Sequence, residues 1–342
     1  MLWPLLESLT AAIPRMPREL FTGAAVTEIL SLARAVRGSV DVFGFECRLA
    51  EDSDRVDLGV RLRPPETNDG DPGKPSRRCD RAAERWVRAF VRAPVRFPRL
   101  VSCVYLEYDA SPSRRAAIPS VFLPLNGGRL DARSRSMPPQ LAEVKKLLLD
   151  LMGQDRFALC KRALARCFAT LPPQGRVLVV GAMLGRSPQT AHLSVSLPRS
   201  RARSYLGLLG SSVWSRDVTD VVESLDPDAE SVLLDFDVGA SIGPRVGVHF
   251  ATGERRRARH LCTRLAGLGL CAPTKKDALL AWPGADAVRL WKRGWPCRFE
   301  RYLDHVKITC TADRVTEAKA YLGIAPSFSL LGYGDATTMR TN

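Results

Sequence analysis

Apolar and polar residues alternate with period two along ten short runs of the chain, and the runs come in pairs separated by turn residues. Such alternation marks a half-buried strand, and two runs around a turn predict a hairpin. The first pair is Val42 to Leu49 and Val56 to Arg63, joined by Glu51-Asp52-Ser53-Asp54. The second is Val101 to Tyr108 and Ile118 to Leu125, and the third Val177 to Leu184 and His192 to Leu197. The fourth is Val232 to Val238 and Arg245 to Phe250, and the fifth His305 to Cys310 and Ala318 to Ile324.

Between the hairpins the apolar period lengthens. Leu141, Val144, Leu147, Leu148 and Leu151 follow Pro138-Pro139 at helical spacing, and Phe157 to Phe168 continues in the same style. Arg255 to Leu268 places Ala258, Leu261, Leu265 and Leu268 on one face. Thr274 is expected to cap a helix from Lys275 to Trp282, with Pro283-Gly284 as its stop. Pro64 to Asp80 and Asn126 to Met137 read as loops. The expected organisation is a helical segment over residues 1–38, a domain of five ββαα repeats over 39–325, and a tail over 326–342.

The two faces of the strands differ. Phe43, Phe45, Cys47 and Leu49 share one face with Val56, Leu58, Val60 and Leu62; the other carries Glu46, Arg48, Asp57, Arg61 and Arg63. His192, Ser194 and Ser196, then Arg245 and His249, then His305, Lys307 and Thr309, then Lys319 and Tyr321 repeat the polar side. Amphipathic helices need an apolar surface to pack on, so they cover the apolar face. The polar face then meets bulk solvent if the sheet is open. If ten antiparallel strands close, no edge is left exposed and the polar face lines a lumen. Ten strands enclose more room than the roughly eight whose inward side chains fill a barrel.

Composition bounds the rest. The 342 residues are 45% hydrophobic and 25% charged, a globular balance. The net charge is +15, and 42 of the 51 basic residues are arginine. That excess fits either a G- and C-rich coding sequence or an anionic partner. The basic residues are scattered and no zinc-finger or RNA-binding signature occurs, which speaks against nucleic acid. Nine cysteines, an odd number without a CxxC pair, read as buried thiols of a reducing compartment, so the cytoplasm is expected. The start lacks the charged and apolar regions of a signal peptide, and no apolar run approaches the ~18 residues of a membrane span. GxGxxG, Walker and GxSxG motifs are absent. Trp282, Trp291 and Trp295 flank Pro and Gly and suit either core packing or a peptide groove.

Five ββαα units closing into a ten-stranded barrel resemble the ABBA-type aromatic prenyltransferases over roughly residues 39–325. The α/β barrel with its polar lumen ringed by helices is what that resemblance implies. Lys319-Ala320-Tyr321 resembles the family's Lys-x-Tyr pairing, and Phe45-Glu46-Cys47 sits where an early-strand Glu lies. The resemblance implies that Glu46 accepts a proton or orients the acceptor. It implies that Arg61, Arg63, Arg245, Lys307 and Lys319 hold a prenyl diphosphate, and that Tyr105 and Tyr321 shield an allylic cation. No tightly bound cofactor is implied; Mg2+ would accompany the diphosphate. The sequence departs from the family in having six tyrosines, with Tyr105 and Tyr321 alone predicted to face inward. Gly44 to Leu49, Asp277 to Leu280 and Glu317 to Gly323 also resemble uncharacterised bacterial proteins of ribosomal peptide pathways.

Three alternatives stand beside this expectation. Glu46 pairs with Arg48 or Arg61 as a structural ion pair. The lumen holds a ribosomal precursor peptide without catalysis. His192, His249 and His305 form a metal site with Asp235 or Asp237, although no close ligand spacing supports it.

Overall fold

The computed structural model describes residues 3–36, 39–62, 101, 103–110, 118–125, 139–186, 188–211, 213, 216–290, 295–311 and 314–328. Its main sheet has eleven strands. They are β1 (Val42–Arg48), β2 (Val56–Leu62), β3 (Val104–Tyr108), β4 (Ser120–Pro124), β5 (Arg176–Ala182) and β6 (Ala191–Pro198). Then follow β7 (Ser231–Val238), β8 (Ile242–Ala251), β9 (Gly284–Leu290), β10 (Trp295–Thr311) and β11 (Arg314–Phe328). Each pairs antiparallel with its neighbours in the order β8-β7-β6-β5-β4-β3-β2-β1-β11-β10-β9. The pairing of β8 with β10, from Arg245 opposite Thr311 to Ala251 opposite His305, closes ten of them into a barrel. All five expected hairpins are present. Val101 bridges Leu125 beyond the ends of β3 and β4.

The eleventh strand, β9, was not legible in the chain. It lies outside the barrel on the first half of β10, Gly284 opposite Arg301 and Leu290 opposite Trp295. Its exposed positions, Gly284, Ala285, Ala287 and Arg289, blur the alternation. The fifth hairpin is accordingly longer than its apolar core, with 17 and 15 residues in its two strands.

The apolar face of the barrel points outward, towards helices α1 (Leu5–Ala12), α2 (Gly23–Ala35), α3 (Pro139–Met152) and α4 (Gln154–Ala169), then α5 (Ala202–Leu208), α6 (Arg216–Leu225), α7 (Arg255–Gly267) and α8 (Pro273–Ala281). Phe43, Leu58, Val60 and Leu193 on strands share one buried cluster with Val144, Leu148, Leu261 and Leu265 on helices. The core is thus the shell between sheet and helices. Trp282 is part of it: its ring lies 5.7 Å from Phe21 and 6.4 Å from Phe45, and its indole N–H donates to Tyr302 O at 3.1 Å. Core packing is therefore its use; Trp291 and the side chain of Trp295 lie outside the described residues.

Local chemistry sets the helix ends. Thr22 Oγ1 accepts from Ala25 N–H at 3.2 Å and caps α2. Gly153, at φ +80°, separates α3 from α4, a backbone conformation that side chains resist. The expected cap at Thr274 is corrected: α8 begins at Pro273, with Ala272 before it, so Thr274 lies inside the helix. Proline at the first helical position has no N–H to leave unsatisfied, and this outweighs the threonine signal.

Two helices follow the second, third and fourth hairpins. Residues 63–100, after the first hairpin, and 329–342, after the fifth, lie outside the described residues, so the ββαα unit is seen three times, the third with β9 added. Among the described residues no helix is long and apolar enough to cross a membrane. The eight described cysteines are buried free thiols.

Two glycines on adjacent strands test the seam of the barrel. A Cβ on Gly44 would stand 2.5 Å from the backbone oxygen of Leu322, whereas one on Gly59 would meet Gly44 O at an ordinary 3.8 Å. Gly44→Ala is expected to lose about 1–3 kcal/mol in urea denaturation, and Gly59→Ala to stay within about 0.5 kcal/mol of the parent.

Candidate functional site

The lumen has two levels. Towards the end of β1 it is filled by charges. Glu46 and Asp57 are cross-strand neighbours, so two carboxylates share one wall. Arg48 reaches both, with Nη1 2.6 Å from Asp57 and Nη2 3.2 Å from Glu46. Lys319 donates to Glu46 Oε1 at 2.8 Å, and the Tyr321 hydroxyl donates to Oε2. Arg186 enters from the β5–β6 turn and pairs with Asp109 at 3.0 Å and Glu107 at 3.1 Å. Lys307 lies 3.2 Å from Asp235 and 3.8 Å from Glu46.

Burial alone would push these carboxyls up, and the local cations decide the outcome. At Glu46, burial is outweighed by Lys319, Lys307 and Arg48 together, which hold the carboxyl well below the usual range. Asp235 is likewise buried, and Lys307, His249 and His192 hold it well below that range. Glu107 goes the other way. Burial and the negative charge of Glu46 outweigh Arg186 and Lys307 and raise it to about 8.

Above this layer is a chamber of about 880 Å3. Val42, Arg61, Tyr105, Pro124, Ser196 and Ser231 belong to its outer part, and Glu46, Glu107, Asp235, Lys307 and Tyr321 to its floor. Glycines make the room. Gly323, Gly44 and Gly59 stand side by side on three adjacent strands. The Tyr302 ring occupies the place of a side chain on Gly323, and Asp235 that of one on Gly247.

One wall is a column of rings. Tyr321 stacks on His305 with centroids 4.0 Å apart and planes at 15°, and His249 lies 4.8 Å beyond His305. Across the chamber Phe122 meets His192 edge to face at 5.1 Å. Each of these three histidines has an acid: His192 Nδ1 is 2.9 Å from Asp237, His249 Nε2 is 3.2 Å from Asp235, and His305 Nδ1 is 2.8 Å from Asp304. Burial drives His249 down to about 4 despite Asp235. The His249 contact has ion-pair distance without hydrogen-bond alignment, and the Nε2 of His305 is closed to solvent with no hydrogen-bond partner. An unmet buried polar atom costs roughly 1–3 kcal/mol. Among the described residues no three His, Cys, Asp or Glu side chains converge as a metal site.

The chamber brings together Glu46, Arg61, Tyr105, His192, His249, His305, Lys307 and Tyr321. Lys319 is placed differently from expectation. It is on the lumen side, but beneath the chamber, held by Glu46 and Glu317. Arg245 is a correction: it is exposed and faces Thr311, at the opposite end of the barrel from the chamber mouth. Its strand position has the right face and the wrong height. Arg63 lies outside the described residues. Tyr302, Glu107 and Arg186 were missed. Glu107 shares the alternation of Tyr105 and was within reach of the pattern; Tyr302 was hidden by an irregularity in β10, which shifts register between Leu303 and His305.

The chain aligns with solved structures over nearly its whole length. One is 5-dimethylallyl tryptophan synthase from Streptomyces coelicolor in complex with DMASPP and Trp: TM-score 0.51, 13% identity, 94% of this chain and 95% of that one. Another is PriB in a binary complex with product diphosphate: TM-score 0.50, 12% identity, 94% of this chain and 96% of that one. This chain has the ABBA prenyltransferase barrel fold. No protein-family model and no curated protein matches the sequence. The charges of this lumen are largely paired with one another. Among the described residues, the four Lys and Arg side chains lining the chamber are each paired: Arg61 with Asp41, Arg186 with Glu107 and Asp109, Lys307 with Asp235, and Arg257 with Asp226.

The raised Glu107 carries a stability consequence. Its carboxyl binds a proton more tightly in the folded chain than in the unfolded one, so stability falls as pH rises from 4.5 to about 8. Glu107→Gln is expected to remove that loss. Its stability advantage over the parent in urea denaturation should be smallest near pH 4.5 and grow towards pH 8; an advantage that is flat across this window would contradict the assignment.

Proposed function

We propose that the chain transfers a prenyl group from a prenyl diphosphate to an aromatic acceptor inside the barrel. One observation carries this reading: within a chamber of about 880 Å3 inside the closed barrel, partly buried cations stand beside aromatic side chains. Lys307 Nζ is 5.3 Å from the centroid of the Tyr321 ring. Arg61 Nη1 is 3.5 Å from the Tyr105 hydroxyl. Transfer from an allylic diphosphate needs both parts. The carbon–oxygen bond breaks with its electron pair leaving on the diphosphate, which cations stabilise by charge-assisted hydrogen bonds. The positive allylic carbon is then stabilised by π faces until the acceptor ring supplies the electrons of the new bond. Tyr105, Tyr302 and Tyr321, with Phe122 and the His249 and His305 rings, furnish those faces. The fold supports the reading, because the similar proteins were solved with DMASPP and Trp or with diphosphate.

Lys307 and Arg61 are the donor ligands in this reading, each exchanging a carboxylate partner for a diphosphate oxygen. Glu46 shapes the floor. A magnesium ion would arrive with the diphosphate, and no step is assigned to it.

A second reading is favoured by the pairing of every described chamber cation. A lumen neutral before its ligand arrives suits a neutral guest, such as a segment of a precursor peptide, captured without transfer.

Calorimetric titration with dimethylallyl and geranyl diphosphate, with and without magnesium, separates the two. Micromolar binding that weakens at least tenfold in Lys307→Gln is expected. Absence of binding to either diphosphate would overturn donor transfer and put peptide capture first.

A further inference from the structure

The early-strand carboxylate is badly placed to hold an acceptor. Glu46 is 4% exposed; Lys319 and Arg48 occupy its Oε1, and the Tyr321 hydroxyl and Lys307 face its Oε2. In the outer chamber Asp41 is held by Arg61 and Asp226 by Arg257.

Another carboxylate is held open to the chamber. Along β10, Leu303 pairs with Leu322 and His305 with Tyr321, so Asp304 is an extra residue, a β-bulge. The bulge falls in a gap, because β8 ends opposite His305 and β9 begins opposite Arg301. In that gap side chains replace a neighbouring strand as donors. The Trp282 indole N–H reaches Tyr302 O at 3.1 Å, and the Thr252 hydroxyl lies 2.5 Å from Leu303 O and 2.9 Å from Asp304 O. In a regular strand neighbours point to opposite faces. Here the bulge brings both Asp304 and His305 to the chamber. Asp304 Oδ2 accepts from His305 Nδ1–H at 2.8 Å. The His305 ring packs on Tyr321 at 4.0 Å and on His249 at 4.8 Å, so the oxygen it holds is fixed.

The rest of the carboxylate faces a guest. The Asp304 side chain is 58% exposed, and among the described residues it pairs with no lysine or arginine. Burial would raise its carboxyl, but His305, His249 and Arg61 outweigh burial and hold it below its usual range, so it stays an anion. Tyr105 and Tyr302 line the chamber with it. After burial, the charge of Asp304 is among the causes that raise both hydroxyls, which puts the carboxylate near the two phenols. An anion flanked by π faces suits an ammonium group, which makes a charge-assisted hydrogen bond to the one and a cation–π contact with the other. Lys307, the donor ligand, stands three residues deeper on the same strand, on the chamber floor. The two ends of the chamber thus call for opposite charges.

We propose that Asp304 binds a protonated amino group of the acceptor, and so selects an aromatic ring that carries an amine arm. The proposal rests on the prenyl-transfer reading for the reaction that follows binding.

The test is calorimetric titration of the full chain, without donor, with two probes that share an indole ring: tryptamine, which adds an ammonium, and indole-3-propionate, which adds a carboxylate. Tryptamine is expected to bind about tenfold or more tightly, the worth of one hydrogen bond to a charged group. Asp304→Asn, which keeps the shape and loses the charge, is expected to abolish that preference while dimethylallyl diphosphate binding stays within a few-fold of the parent. Absence of tryptamine binding to the parent, or a preference that survives Asp304→Asn, would overturn the proposal. So would a magnesium-dependent loss of donor binding in Asp304→Asn, which would assign the carboxylate to a metal diphosphate. The parent supplies a check that needs no variant: the preference is expected to shrink as salt is raised, and one that salt leaves unchanged would count equally against it. Absence of donor binding to the parent is a separate result that falls on the prenyl-transfer reading, since the amine preference is measured without donor.

Discussion

A closed sheet with its apolar face turned outward must put its polar side chains inside, and there every charge has to find a partner. The rest of this structure depends on that constraint. The β8–β10 pairing supplies closure, and the helices take the apolar face. Left within are Glu46, Asp57, Glu107 and Asp235 with Arg48, Arg186, Lys307 and Lys319. Truncating one partner of the fully buried pair Arg48–Asp57 strands the other charge out of water, a loss of about 3–5 kcal/mol. The floor of the chamber is therefore fixed by its ion pairs, and the ring column stands on it through the Tyr321–Glu46 hydrogen bond.

Much of this was legible because the period of a strand is local. Phe43 and Phe45 against Glu46 and Arg48 reveal a face without any knowledge of the neighbouring strands. The same alternation placed Lys307, His249 and Tyr321 on the lumen side. Three kinds of information were not local. The height of a side chain along the barrel axis depends on register, so Arg245 and Lys307 looked alike although one is at the end of the barrel opposite the chamber mouth and the other on the chamber floor. A bulge changes parity within one strand, so Tyr302 and His305 both face inward three residues apart. Partners distant in sequence decide charge: Arg61 finds Asp41 across 20 positions, Arg186 finds Asp109 across 77, and Lys307 finds Asp235 across 72. A surplus of arginine in the composition thus says little about the lumen, where cations and acids nearly balance. The surplus is outside, as on α7, where Arg255, Arg256 and Arg259 are exposed.

The scarcity of tyrosine reads differently with the structure in view. A π face is required near an allylic cation, and its phenol hydroxyl is incidental. Phe122 supplies one face without a hydroxyl. Burial drives the pKa of His249 to about 4, so that ring is neutral near pH 7 and serves as an aromatic surface instead of a competing cation. Tyr302 reaches the chamber only because Gly323 leaves the space beneath its ring. Three tyrosines with these rings make a wall that counting tyrosines alone would not anticipate.

Internal neutrality also shapes how a diphosphate would enter. Its negative charges compete with Asp41 for Arg61 and with Asp235 for Lys307, so binding is an exchange of partners and not the filling of a vacant cationic site. A carboxylate displaced from its cation in a desolvated lumen is unfavourable unless it gains a proton or another donor. Asp235 has such a donor in reserve, because His192 and His249 flank it at 3.6 and 3.2 Å. The two histidines beside Asp235 thus have a physical reason to be there that is separate from metal binding: a neutral imidazole N–H can turn to the carboxylate when the lysine turns to an anionic guest.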